Sequence, residues 1–332
     1  MKNYLILIRP YGMLFLGFTP VFGAIANGEF NLIHLTTLLI IGLLAHIFTF
    51  VQNDYYDTAI DSKSKYVSSR PLVTGSITQK TAFKIFLASF IISLLLAIVF
   101  FSYYSFVFLL LSFLFMTFYN KYSKKFYGME YILSIGVFTY GIFGALTVSN
   151  NISYLAIIVS LFGFMQWLFS VGVSANLKDV EYDIKLNIKT TPTAFGVKLS
   201  NKELIIPLSF KIYTVGIKII HILIASLPLF LGYTSIFVYG LPIPGFCFLI
   251  ISILVLYCTK KILTISMKER DKMLIYVGIQ EGLALLLLPI LLMSILIDRF
   301  EVIQTFLLIS LFILWPLFWF RILYGKKMIP LE

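Results

Sequence analysis

Residues 32–52 read LIHLTTLLIIGLLAHIFTFVQ, and the nine that follow, 53–61, read NDYYDTAID. The first stretch has 21 residues and no Asp, Glu, Lys or Arg. That is long enough to cross a bilayer core as a helix, which takes about 20 apolar residues. The second stretch sets carboxylates at Asp54, Asp57 and Asp61. At about 100° per helical residue these three fall within about 60° of one another. An apolar helix that runs into a stripe of acids describes a membrane span with polar chemistry at its end. The fold class follows from that reading.

The rest of the chain extends the pattern. Of 332 residues, 60% are hydrophobic and only 12% charged, where a soluble domain carries about a quarter charged residues. Ten spans are expected, at 11–28, 32–52, 82–101, 103–120, 131–149, 152–173, 205–231, 235–258, 273–297 and 302–323. The fold class is therefore all-α, a polytopic transmembrane helical bundle. Met1 to Arg9 is too short for a cleavable signal peptide and leads straight into apolar sequence. Cys247 and Cys258 share one apolar run and read as packed helix residues, not as a disulfide or a metal site.

The net charge of +11 raises the question of nucleic acid, but the positions of the basic residues answer it differently. Between the spans, 23 of the 26 lysines and arginines fall on one side. The exceptions are Arg299 in an opposite loop and Lys211 and Lys218 within the seventh span. Basic loops stay cytoplasmic, so both termini and the acidic segments are expected inside. The positive charge is a topology signal.

Only 15 acidic residues exist, and six of them lie in two short segments. The second segment follows span six as Asn176-Leu-Lys-Asp179-Val-Glu181-Tyr-Asp183. Asn176, Asp179 and Asp183 repeat the three-plus-four spacing of the first, so a second polar stripe at a helix end is expected. Like charges on one helix face repel, and more strongly as water is excluded. A bound cation removes that repulsion. Oxygen ligands without nearby His or Cys favour Mg2+ or Mn2+ over zinc. The expected metal set is Asn53, Asp54, Asp57, Asp61, Asp179 and Asp183, with the five aspartates as the catalytic set. Because magnesium completes its shell with water and phosphate oxygens, two such stripes suit a diphosphate. Basic residues follow each stripe: Lys63, Lys65 and Arg70 after the first, and Lys178, Lys185 and Lys189 in or after the second. Arg70, before Pro71 and a turn at Gly75, is the strongest candidate for a phosphate ligand, since arginine grips phosphate oxygens bidentately.

At these residues the sequence resembles the UbiA superfamily of intramembrane prenyltransferases. The first family signature stands here as Asn53 to Asp61, then Arg70-Pro71-Leu72 and Gly75-Ser76-Ile77-Thr78. The second stands as Asp179 to Asp183, followed by Lys189-Thr190-Thr191 and Phe195-Gly196. A looser Tyr and Lys pair after the fourth helix falls among Tyr119, Tyr122, Lys124 and Lys125, of which Tyr122 and Lys125 are taken as diphosphate ligands. The same role is expected of Asn53, Lys65, Arg70, Asn176, Lys178, Lys185 and Lys189. The resemblance implies a prenyltransferase domain over 1–300, with Asp-rich loops at 53–80 and 174–202. It implies nine family-type helices, so that 301–332 adds a tenth helix and a short cytoplasmic tail. It also implies Mg2+-dependent transfer of a prenyl chain from a polyprenyl diphosphate to an acceptor, within the cell membrane. The departing carbocation-like chain would lie among aromatic side chains, which are 17% of the sequence.

The nine-residue interval from Asp61 to Arg70, with Lys65 inside it, is similar to the 4-hydroxybenzoate and haem-O branches. It favours an aromatic or quinone-precursor acceptor. Geranylgeranyl transfer to geranylgeranylglyceryl phosphate is the alternative, and the Asn176–Asp183 segment is similar to naphthoate prenyltransferases. A membrane carrier or channel is the reading from another class. It would need ionisable residues at depth, for which Lys211, Lys218, His221 and Glu281 are the candidates. The side assignment has a direct test in protein lacking Cys247 and Cys258. A cysteine placed at Asn187 reacts with a membrane-impermeant reagent from the cytoplasmic side only, and one at Asn150 from the opposite side only. Labelling of both from one side refutes the span count between them.

Overall fold

In the computed structural model, which describes residues 1–201 and 203–325, ten helices are long and apolar enough to cross a membrane. They are α1 (Lys2–Ala26), α2 (Leu32–Asp61), α3 (Gln79–Phe100), α4 (Tyr103–Tyr122), α5 (Met129–Leu146) and α6 (Tyr154–Lys178). After two short helices, α7 (Val180–Lys185) and α8 (Thr191–Ala194), come α9 (Leu208–Phe230), α10 (Ile243–Ile262), α11 (Met267–Leu291) and α12 (Met293–Tyr324). The all-α membrane architecture is as expected from the sequence, and both cysteines lie in α10 without a disulfide. The short tail expected after the tenth helix lies outside the described residues, apart from Gly325.

Several boundaries differ from expectation, each for a local reason. The first helix starts at Lys2 instead of residue 11, because the chain turns within it. Arg9 takes a left-handed conformation (φ 50°, ψ 62°) ahead of Pro10. A residue before proline is driven out of the right-handed helical region, and here the turn keeps the segment compact. Helix α2 continues nine residues past the expected end and carries the whole first acidic stripe. In α12 the backbone leaves helical geometry at Glu301 (φ 64°, ψ 171°), so the expected outer loop holding Arg299 is a kink. The connection 174–202 carries part of an unexpected two-stranded hairpin, β1 (Lys198–Ser200) with β2 (Glu203–Ile205), in antiparallel register Leu199 to Leu204.

The chain forms two compact units. The first comprises residues 1–122, 135–160 and the segment from 313 onward. Its helices approach to backbone contact at three glycines. A Cβ on Gly42 would strike the Gly17 backbone, one on Gly144 the Pro20 carbonyl, and one on Gly23 the Gly141 carbonyl. Small residues allow this approach where lipid supplies no hydrophobic drive for helices to associate. Phe48, Phe90 and Phe113 fill the space between α2, α3 and α4, with ring centroids 4.7–5.6 Å apart. The C-terminal helix closes over the N-terminal turn. Trp315 Nε1 donates to the Pro10 carbonyl at 2.6 Å, and Phe320 stacks on Tyr11.

The second unit comprises residues 123–134 and 161–312. Its core joins Phe169, Val173, Leu177 and Val180 with Phe210, Ile217 and Ile262. The last two turns of α6 are not α-helical throughout, since Ser170–Ala175 form a π-helical segment. The polar residues expected to mark a carrier pathway resolve differently. Lys211 is exposed, whereas Lys218 is fully buried, donates to Gln166 Oε1 at 2.9 Å and lies 3.9 Å above the Phe169 ring. His221 stacks on Phe162 at 4.3 Å.

The glycine contacts give a paired test of the packing. Gly42→Ala overpacks a backbone contact and lowers stability by about 1–3 kcal/mol. Gly216→Ala, on α9 with nothing within 4 Å of the added carbon, raises it by up to about 1 kcal/mol through helix propensity. Thermal melts of both variants in one detergent check the opposite signs.

Candidate active site

The first acidic stripe is buried. Asp54, Asp57 and Asp61 are 2%, 6% and 8% exposed, and all three point inward from the last turns of α2, as the helical spacing required. Burying carboxylates is costly unless they are paired and hydrogen-bonded, and two arginines meet that need. Arg9 Nη2 lies 2.6 Å from Asp54 Oδ1. Arg70 Nη1 bridges Asp54 Oδ1 at 3.2 Å and Asp61 Oδ2 at 2.7 Å. Arg70 was singled out in the sequence; Arg9 was counted only as a topology charge. Its signal was the Arg-Pro dipeptide, whose left-handed turn aims the side chain back at α2. Asn53 is half-buried beside Asp54. Lys65 is exposed, with its ammonium 4.8 Å from the Tyr66 ring centre.

The second stripe needs correction. Asn176, Asp179 and Asp183 do not lie along one continuous helix. The π-helical segment shifts the register of α6, which ends at Lys178, and Asp179 sits between helices at φ −106°, ψ 2°. Asp179 begins α7 instead, and its carbonyl accepts from the Tyr182 and Asp183 amides. The 100° arithmetic therefore does not carry across this break. The burial differs accordingly: the Asp179 side chain is 29% exposed, whereas Asp183 is 2% exposed.

Asp179 pairs with Arg270 Nη2 at 3.3 Å, while Arg270 Nε reaches the Lys178 carbonyl. Arg270 is a second arginine that spacing alone could not reveal, since it arrives from α11, some 90 residues away. Burial pushes the Asp183 carboxyl up to about 6; the Lys124 charge lowers it, Asp179 raises it, and a hydrogen bond from Thr190 lowers it. The charge felt by Asp183 is that of Lys124, whereas Lys125, the lysine taken from the sequence, is exposed. Tyr122 ends α4 with its ring against Phe118. Asn176 and Lys178 are half-buried. Lys185 is exposed and spent on Glu181 at 2.7 Å, and Lys189 is exposed near the Tyr127 ring.

The donors fit a hard divalent cation. Every candidate ligand atom in both clusters is oxygen, and Asp183 Oδ2 is buried without a hydrogen-bond partner. Among the described residues no three His, Cys, Asp or Glu side chains converge as a ready cage. That suits Mg2+, which uses one or two carboxylates and takes its other oxygens from water and phosphate.

Each unit thus carries its own cluster of acids with arginine and lysine charge at the end of a membrane helix. The chain belongs to the UbiA prenyltransferase family, whose pattern matches residues 14–275. It is thus an enzyme that transfers prenyl groups. It is 27% identical over 259 residues to the digeranylgeranylglyceryl phosphate synthase of Saccharolobus solfataricus, covering 76% of this chain and 86% of that protein. It is 29% identical over 148 residues to the 4-hydroxybenzoate octaprenyltransferase of Acinetobacter baylyi, covering 43% of this chain and about half of that one (49%). The fold matches a solved digeranylgeranylglyceryl phosphate synthase with TM-score 0.61, 20% identity and coverage of 91% and 99% of the two chains. It also matches a UbiA homologue from Archaeoglobus fulgidus bound to DMAPP and Mg2+, with TM-score 0.58, 17% identity and coverage of 86% and 99%.

The site separates two kinds of acid. Asp54 is gripped by two arginines, so Asp54→Ala leaves both charges poorly compensated and costs about 3 kcal/mol of stability. Asp183 carries a buried oxygen without a partner, so Asp183→Asn removes a buried charge and leaves the melting temperature at or above wild type. Melts of the two variants without metal check this ordering.

Proposed function

We propose that this protein transfers a prenyl chain from a polyprenyl diphosphate to a lipophilic acceptor, with Mg2+ or Mn2+, at the cytoplasmic end of its bundle. The observation that carries the reading is that each unit has carboxylates paired with arginine at the end of a membrane helix, α2 in one and α6 in the other, in a chain of this family. The region 1–300 forms the catalytic part, and the helix after it braces the N-terminal turn that bears Arg9.

Transfer breaks the allylic C–O bond, and its electron pair leaves with the diphosphate. The acceptor then supplies the electrons of the new bond from an oxygen or an aromatic carbon, and loses a proton. Mg2+, when bound, offsets the negative charge that grows on the leaving diphosphate. The residues that would hold it are Asp54, Asp57 and Asp61 on α2, with Asp179 and Asp183 beyond α6, and the side-chain oxygen of Asn53. Arg70 and Arg9 pair with and position the acids of α2, and Arg70 and Lys124 would supply positive charge for phosphate oxygens.

Two acceptor classes are supported by different observations. The Asp61–Arg70 interval favours an aromatic or quinone precursor. The similarity to a digeranylgeranylglyceryl phosphate synthase over 86% of its length favours a prenylated glyceryl phosphate. Mass spectrometry separates them: purified protein in lipid is given geranylgeranyl and longer diphosphates with both acceptor classes. One class yields a prenylated product and released diphosphate. Chelation abolishes turnover, and Mg2+ or Mn2+ restores it. Full turnover in metal-stripped protein would refute the metal assignment, and prenyl diphosphate left intact with every acceptor would refute the proposed donor.

A further inference from the structure

The second cluster rests on an acid that the sequence motifs do not contain. Glu130 lies in the first turn of α5 and is 3% exposed. Its carboxylate accepts a hydrogen bond from the Thr191 hydroxyl. Nothing in the diphosphate or metal reading above uses it.

Three local features make room for this contact. The π-helical segment Ser170–Ala175 brings Gly172 against Glu130, and a Cβ there would stand 3.0 Å from Glu130 Cγ. The absent side chain is the space that Glu130 occupies. Thr191 opens α8, whose turn is locked by its neighbours: the Thr190 amide donates to Thr193 Oγ1 at 3.0 Å, and Thr193 Oγ1 donates to the Thr190 carbonyl at 2.8 Å. The loop is tied back to the cluster twice. The Ile188 amide donates to the Asp183 carbonyl at 2.8 Å, and the buried Thr190 hydroxyl stands close enough to the Asp183 carboxyl to lower its pKa.

A continuous chain of contacts thus runs from Gly172 to Glu130, Thr191, Thr190 and Asp183. At its end Thr190 acts on the Asp183 carboxyl, whose Oδ2 is buried without a hydrogen-bond partner. We propose that Glu130 is a positioning residue: through Thr191 it holds the Thr190 turn so that Asp183 presents its free oxygen to the divalent cation. The inference rests on the proposed metal role of Asp183. Groups that orient a metal ligand in this way typically contribute 10- to 100-fold to metal affinity, and a π-helical segment beside a functional site is a common arrangement.

The test is Mn2+ binding to full-length protein in lipid nanodiscs, followed by the electron paramagnetic resonance of free Mn2+, with no substrate present. Glu130→Leu and Thr191→Val each weaken Mn2+ binding about tenfold or more. Glu130→Gln, which keeps an acceptor oxygen, and Thr191→Ser, which keeps the donor, stay within about threefold of wild type on the same scale. Since both losses break one contact, the Glu130→Leu/Thr191→Val double variant is no weaker than the worse single. In turnover assays the metal concentration for half-maximal rate rises, and the rate at saturating metal largely recovers. A merely structural role would lower the melting temperature without that split. If Glu130→Leu does not fold, the Thr191→Val and Thr191→Ser pair decides the question. Unchanged Mn2+ affinity in folded Glu130→Leu or Thr191→Val, or multiplicative losses in the double variant, overturns the inference. Asp183→Asn is the control. If it abolishes Mn2+ binding while the Glu130 and Thr191 variants do not, only this inference fails. If it leaves binding unchanged, or wild type binds no Mn2+, the metal role of Asp183 fails and the inference with it.

Discussion

A carboxylate removed from water must find positive charge or lose its own. In an apolar bundle this requirement organises everything around the helix ends. Asp54 and Asp61 meet it through Arg9 and Arg70, at 2.6–3.2 Å. Asp179 meets it through Arg270. Asp183 meets it least well, with burial raising its pKa to about 6 against the pull of Lys124 and Thr190. The order in which these acids are satisfied is also a division of labour. The paired acids tie α2 to its neighbouring segments, and the poorly paired one has a buried oxygen without a hydrogen-bond partner.

The same demand explains irregular backbone in a protein otherwise made of long helices. Pro10 keeps Arg9 out of the right-handed helix, and the left-handed turn that Arg9 adopts delivers the guanidinium to Asp54. The Trp315 indole and the Phe320 ring on α12 hold the turn from outside, so the last helix has a physical task in the first unit. In the second unit α6 passes through a π-helical segment, which admits Glu130 beside Gly172, and then ends at Lys178, so that Asp179 caps α7. Such segments cost local hydrogen-bond regularity and are retained where they aim a side chain.

Helix packing answers a separate constraint. With lipid outside, apolar side chains gain little from meeting one another, and dispersion at close range must do more. Gly17, Gly23, Gly42, Gly141 and Gly144 let α1, α2 and α5 touch backbone to backbone. The aromatic group of Phe48, Phe90 and Phe113 then fills what the glycines leave open between α2, α3 and α4. These rings are packed core, and nothing in their arrangement distinguishes a substrate-facing member.

The number and type of membrane helices were legible in the amino-acid sequence, because span length and apolar composition report directly on bilayer thickness. So was the shared face of Asp54, Asp57 and Asp61, since they continue an unbroken helix and its period carries through. The second cluster was legible as a set of residues but not as a geometry: Asn176, Asp179 and Asp183 keep the same spacing, yet the helix ends between them, at Lys178, and a new one begins after Asp179. Spacing measures angle only while the helix lasts. Arg9, Glu130 and Arg270 were left to the tertiary structure, because each comes to its partner from a distant segment and carries no period relative to it, and between Lys124 and Lys125 only the structure tells which lysine acts on Asp183. Their side chains look like topology charges or surface polar residues in sequence. Only the packed bundle, by excluding water, decides which of them must pair.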